Sequence, residues 1–162
     1  SVHHLAGEML KRATGLEMLH VPYKGGSGVY SAMLGGEIDA LFDTMPAPIA
    51  HLQSGKIRAI AVTGQKRLQM LPDVPTLAEQ GIAGVDVHFW WGFVGPAGMP
   101  KEIVAKLNAE LARALADPEL KATLAKWNIE ASPGTPEAFG AYIAQESKRW
   151  REAVAAAGLA LE

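Results

Sequence analysis

No cysteine occurs among the 162 residues. Disulfides, thiol nucleophiles and thiolate metal sites are therefore excluded. The absence suits a bacterial periplasmic protein, and it suits many cytosolic ones as well. A surplus of positive charge is also lacking: 15 Lys and Arg stand against 17 Asp and Glu, a net charge of −2. A nucleic-acid binder needs a basic surface, and no basic run interleaved with aromatics appears, so nucleic acid is not an expected partner. No apolar stretch approaches the roughly 20 residues that span a bilayer. There is no Gly-x-Ser-x-Gly elbow and no closely spaced carboxylate pair, so hydrolase chemistry has no visible carrier. The adjacent His3 and His4 diverge on a helix, and His20, His51 and His88 are scattered. A zinc pair would need i, i+4 spacing, so neither a metal nor a cofactor is expected.

What is present reads as ordinary globular protein, 49% hydrophobic and 20% charged, long enough for one compact domain or two small lobes. The sequence enters a helix at once through Ser1-Val2-His3-His4-Leu5, with no Met, no signal peptide and no leading strand. That start predicts the later part of a longer protein.

Ser1 is expected to cap a helix running to about Ala13, with Leu5, Met9 and Ala13 on one face and Gly15 as its stop. Met18 to Tyr23 reads as a strand. Ser27 is expected to cap a helix carrying Val29, Tyr30, Met33 and Leu34. Ile38 to Phe42 reads as a buried parallel strand. Asp43 or Thr44 is expected to cap the next helix, with Pro46 in its first turn and Gly55 at its end. Ile57 to Val62 is a third predicted strand, and Thr76-Leu77-Ala78-Glu79 matches a capping box. Val85 to Val94 is predicted as a long strand rich in aromatics.

After Pro96-Ala97-Gly98 the pattern is helical. Pro100 opens one helix, with Ile103, Val104, Leu107, Leu111 and Leu115 as its stripe, and Asp117-Pro118 caps the next. Ile129 to Ala131 is a candidate short strand. Thr135-Pro136 opens the last helix, and Trp127 and Trp150 are expected in the core.

The strand–helix alternation from Met18 to Val62 implies right-handed βαβ units and a parallel sheet. Ligands of such sheets sit beyond the carboxyl ends of the strands, where helix N-termini gather. Ser1, the Tyr23-to-Ser27 loop and the Asp43-Thr44 turn are thus predicted on one rim. The Lys24-Gly25-Gly26-Ser27-Gly28 loop is either a cradle for a carboxylate or phosphate, with Lys24 adding charge, or a plain glycine-rich βα turn. It is neither a Walker A loop nor a dinucleotide fingerprint. Asp43 can cap a helix, accept a hydrogen bond from a ligand, or do both. His4 can donate to an anion or simply pack. An α/β enzyme acting on an anionic substrate, with Lys24, Asp43 or His4 as acid–base groups, is the alternative function.

An ordered set of motifs adds to this. It comprises His4-Leu5-Ala6-Gly7-Glu8, His20-Val21-Pro22-Tyr23-Lys24-Gly25, Leu34-Gly35-Gly36-Glu37-Ile38-Asp39 and Phe42-Asp43, then Ser54 through Thr63, Leu71 through Thr76, Gly95-Pro96-Ala97-Gly98, Leu107-Asn108 and Ala157-Gly158. With these motifs the chain resembles the extracytoplasmic solute-binding receptors of tripartite tricarboxylate transporters, the TctC or Bug family. The resemblance implies an α/β, type II periplasmic-binding-protein-like lobe with a parallel-dominated sheet, followed by C-terminal helices of the other lobe. It implies a second, ligand-binding lobe over residues 1–88, lacking its first strand, and a return strand with helices of the first lobe over 89–162. It further implies capture of a small organic carboxylate, no catalysis, a periplasmic location, and transfer of ligand to membrane subunits. Carried over by position, Ser1, Tyr23, Lys24, Gly25, Gly26 and Asp43 would bind the ligand, and His4, from its place near the rim, is expected beside them. The family's first-lobe start, with its carboxylate-gripping loop, has no counterpart here, which predicts an N-terminally truncated fragment. The open sheet edge left by a missing strand would favour a homodimer.

Overall fold

The computed structural model describes residues 1–158 except Gly25 and His88, and for Ser27 and Ala157 the backbone alone. The chain divides into two compact units, Ser1–Phe89 and Trp90–Ala156.

The first unit opens with α1, Val2–Thr14. Ser1 caps it, its Oγ accepting from the His4 N–H at 3.4 Å. Gly15 closes it in the left-handed region at φ 73°, donating its N–H to the Lys11 carbonyl. The apolar stripe is shifted from the expected one: Ala6 is the residue fully buried, while Ala13 is exposed. A small residue there permits close approach, and a Cβ on neighbouring Gly7 would lie 3.7 Å from the Phe42 ring.

Helix α2 spans Gly26–Gly35. It begins one residue before Ser27, so Ser27 lies inside the first turn and is not the cap. Glycine at the first position lets the chain enter the helix without a side chain to place. Ala32 is its buried residue. The next helix also starts later than expected. Residues 45–48 form a turn through a cis Met45–Pro46 peptide, and α3 covers Ile49–Gln53 behind Pro48. Asp43 therefore caps no helix; its Oδ1 accepts from the Thr44 N–H at 2.7 Å and shapes the turn.

The capping box is present. The Glu79 N–H donates to Thr76 Oγ1 at 3.1 Å, and the Thr76 N–H donates to Glu79 Oε2 at 2.7 Å. Between them a single 3-10 turn, Ala78–Gln80, ends at Gly81 with φ 79°. Arg67 Nε reaches the same carboxylate at 2.9 Å and, with the Thr76 N–H, holds it below the usual carboxylate range.

The predicted strands do not form a sheet among the described residues. Their one ladder contact is a parallel bridge between Val62 and Thr76. It is made by the Val62 N–H to the Pro75 carbonyl and the Leu77 N–H to the Val62 carbonyl, both at 2.9 Å. Thr63 adds a side-chain bond to the Val87 carbonyl at 2.6 Å. Around this seam lie the buried residues Thr76, Leu77, Val85 and Val87. A strand exists only through hydrogen bonds to a neighbour. The segments around Leu19 and Ile60 have strand composition and no ladder here, and these side chains are 91% and 66% exposed.

The second unit holds α4 (Lys101–Ala116), α5 (Pro118–Lys126) and most of α6 (Pro136–Ala157). Asp117 caps α5 through the Leu120 N–H at 2.9 Å, and Thr135 Oγ1 accepts from the Ala138 N–H at 3.2 Å at the start of α6. α4 and α5 pack against each other. Trp90 meets Phe139 and Tyr142 edge-on, with centroids 5.6 and 5.4 Å apart. A Cβ on Gly92 would fall 2.1 Å from Phe139 Cζ, so glycine there admits the ring. Buried Glu146 is satisfied by Arg149 Nη1 at 3.1 Å and by the Trp150 indole N–H at 3.2 Å. Trp127 is exposed rather than core, as are Ile103 and Leu107 of the α4 stripe. Ile129 to Ala131 forms no strand; it follows a turn through Asn128 at φ 55°.

Removing the Thr76 hydroxyl tests the capping box. Thr76→Ala should cost about 1 kcal/mol, read as a lowered urea midpoint with an unchanged slope. No change would mean that the seam holds the turn without the cap.

Candidate functional site

The site is built where the start of α1 meets the Asp43 turn, inside the first unit. Neither α1 nor α2 has an acidic residue in its first turn, so the positive ends of both helix dipoles are uncompensated within their own helices. Ser1 is exposed, and its hydroxyl, although it accepts from the His4 N–H, keeps its own proton to donate.

Asp43 gathers three elements. Tyr30 of α2 donates its hydroxyl to Asp43 Oδ2 at 2.5 Å. The Thr44 N–H occupies Oδ1. His3 of α1 brings Nε2 to 3.6 Å from Oδ1. That nitrogen is buried and has no hydrogen-bond partner among the described residues. Its ring lies 5.0 Å from Phe89. His51 of α3 stacks on Tyr30 at 4.7 Å. Burial first, then the hydrogen bond to Asp43 and its charge, push the Tyr30 phenol well above its ordinary value, so it remains a donor.

His4 and His20 form a second contact. Their rings stack at 3.6 Å, 6° from parallel, and His4 Nε2 sits 3.6 Å from Glu8. Glu8 in turn accepts from Lys11 at 2.9 Å. The stack ties α1 to the segment that leads to Tyr23. Tyr23 is half-buried beside α2, where a Cβ on Gly28 would lie 3.5 Å from its ring. Lys24 is exposed, Gly26 is the first residue of α2, and Gly25 lies outside the described residues. Of the seven expected site residues, His4 and Asp43 thus have defined side-chain partners and Ser1 a capping role.

His3, Tyr30, His51 and Phe89 were not among the expected site residues. For Tyr30 a signal was available: four residues after Gly26 on a helix, it shares a face with the helix start. The approach of His3 and Phe89 to the Asp43 turn depends on tertiary packing. Among the described residues no group of three or more His, Asp or Glu is placed to hold a metal ion.

His20 tests the stack. Desolvation first, and then repulsion from His4, lower its pKa from the ordinary 6.5, against a smaller upward pull from Glu8. The neutral stack therefore keeps its full contribution above pH 6.5 and loses it as pH falls through the lowered value. In an NMR titration His20 should titrate below 6.5, and His4→Gln should raise it toward 6.5. An unchanged value in His4→Gln would show that the two rings do not interact.

Comparison with known proteins agrees with this architecture. Residues 1–159 match the TctC family, described as the tripartite tricarboxylate transporter family receptor. The UPF0065 protein in the tcbD-tcbE intergenic region of Pseudomonas sp. strain P51 is 34% identical over 93% of this chain and 45% of its own length. The UPF0065 protein in the clcB-clcD intergenic region of Pseudomonas knackmussii is 32% identical over 93% of this chain and 90% of its own. The chain thus spans about half the length of the first relative and nearly all of the second. Among solved structures, R. palustris Rpa4515 with adipate superposes with a TM-score of 0.90 at 34% identity, covering 99% of this chain and 54% of that one. The periplasmic binding protein BugD gives 0.85 at 36%, covering 97% and 53%. BugD is a periplasmic binding protein, and the two superpositions support a periplasmic-binding-protein-like fold. The chain belongs to the TctC family of tripartite tricarboxylate transporter receptors.

Proposed function

We propose that this protein is an extracytoplasmic solute-binding receptor that captures a small organic carboxylate. The observation that carries the reading is family membership across residues 1–159, joined to a close likeness to a relative solved with adipate. The chemistry of the first unit supports it. Two helix starts without acidic residues, a hydroxyl at Ser1 and a cation at Lys24 all favour an anion.

In this reading Ser1, His4, Tyr23, Lys24, Gly25, Gly26 and Asp43 form one jaw of a ligand cleft. Residues 1–88 serve as the ligand-binding lobe, and 89–162 as the return segment and helices of the other lobe. The chain spans 45% of the first relative's length, and in this reading the other jaw of the cleft is not among these residues. Delivery is to the membrane subunits of a tripartite transporter. A periplasmic location is supported by the likeness to BugD, and none of the helices searched is long and apolar enough to cross a membrane. The parallel sheet belongs to the same reading. Its supports are the parallel Val62–Thr76 bridge and the unladdered apolar segments, whose backbone groups are open to pairing, including pairing with a second copy.

Calorimetry of the full gene product against a panel of mono-, di- and tricarboxylates tests the reading. At least one acid should bind, more weakly at high salt. Lys24→Ala should weaken it by about tenfold. A folded protein that binds no carboxylate in the panel would overturn the assignment.

A further inference from the structure

Asp43 receives two donors, the Tyr30 hydroxyl on Oδ2 and the Thr44 N–H on Oδ1. An ionised carboxylate is an acceptor only, with about four lone-pair sites, so two donors fix its orientation and leave acceptor capacity. The Tyr30 ring is itself held by its stack on His51, and burial with the Asp43 bond keeps its proton in place. His3 Nε2 lies 3.6 Å from Oδ1, an ion pair only when the imidazole is protonated, and makes no hydrogen bond to it. A second carboxylate brought to this group would meet like charge, whereas a hydroxyl or ammonium would meet an acceptor already aimed.

We propose that Tyr30 is a positioning residue for Asp43, and that the pair selects carboxylate ligands bearing a hydroxyl or ammonium over the same ligands without one. The inference rests on the proposed carboxylate site and names its ligand class more narrowly. Tyr30 acts through Asp43 and need not touch the ligand. Thr44 holds Oδ1 through its backbone, so the Tyr30 bond is the one that a side-chain change can remove.

The test uses a matched four-carbon series, succinate, malate and aspartate, titrated into the full gene product. The titrations are run at pH 8. Malate or aspartate should bind at least about tenfold tighter than succinate, the scale of one satisfied hydrogen bond to a charged group. Tyr30→Phe keeps the ring that stacks on His51 and removes the hydroxyl. It should narrow the preference to about threefold or less with circular dichroism unchanged. Asp43→Asn gives the site donors of its own and should move the preference toward succinate, which keeps the proposal testable if Tyr30→Phe folds poorly. Equal binding of the three acids by the natural protein overturns the proposal and leaves the receptor reading standing. An unaltered ratio in Tyr30→Phe overturns the positioning role. Failure of every carboxylate to bind overturns both.

Discussion

The first unit depends on the carboxylate of Asp43. It lies just past the predicted strand Ile38 to Phe42 and fastens α2 through Tyr30, shapes its own turn through Thr44, and faces α1 through His3. Three segments distant in sequence are brought to one charged group, within a unit whose buried apolar residues are few. Polar contacts of this kind contribute modestly to stability, on the order of 1 kcal/mol each. Their larger effect is directional, because a carboxylate with two fixed donors has few remaining orientations. The same group is thus both a joint of the fold and an exposed chemical feature.

A second joint lies at the seam of Val62 and Thr76. Here one parallel bridge, a capping box and the Thr63–Val87 bond fall on neighbouring residues. Thr76 is 2% exposed, so its hydroxyl and N–H must be satisfied internally, and Glu79 satisfies both. The cap therefore does more than start a short turn. It allows a polar residue to sit in the middle of an apolar seam beside Leu77.

The sequence made legible whatever is coded within about four residues. Ser1, Gly15, the Thr76–Glu79 box, Asp117 and Thr135 stand where local hydrogen-bond chemistry puts them. The family was legible for another reason: its motifs keep their order along the whole chain. Legibility failed where the partner is remote. Asp43 has the composition of a cap, but residues 45–48 form a turn, the helix starts only at Ile49, and the carboxylate meets Tyr30, 13 residues away. The segments of Leu19 and Ile60 have strand composition, yet a strand needs a neighbour's backbone, which no local pattern supplies. Trp127 fits a helical stripe and is nonetheless exposed. Of the candidate site, the start of α1 and Asp43 could be read directly. The contributions of His3 and Phe89 could not, because they come from how the elements fold together.

The exposed apolar residues bear on the same point from the side of energetics. Trp91, Phe93 and Val94 are 65%, 79% and 82% exposed, in a run predicted as a long strand rich in aromatics. Contiguous exposed apolar surface of this kind marks a surface that becomes covered. The solved relatives that superpose on nearly all of this chain are about twice its length. Those two relatives therefore carry chain beyond the part that superposes here. Within the first unit the polar joints at Asp43 and Thr76 are complete without it, since each carboxylate finds its donors inside Ser1–Phe89. The division is physically sensible: hydrogen-bonded joints are short-ranged and close locally, whereas burying large side chains requires area. A unit built this way can hold Tyr30 and Asp43 in position through its own hydrogen bonds.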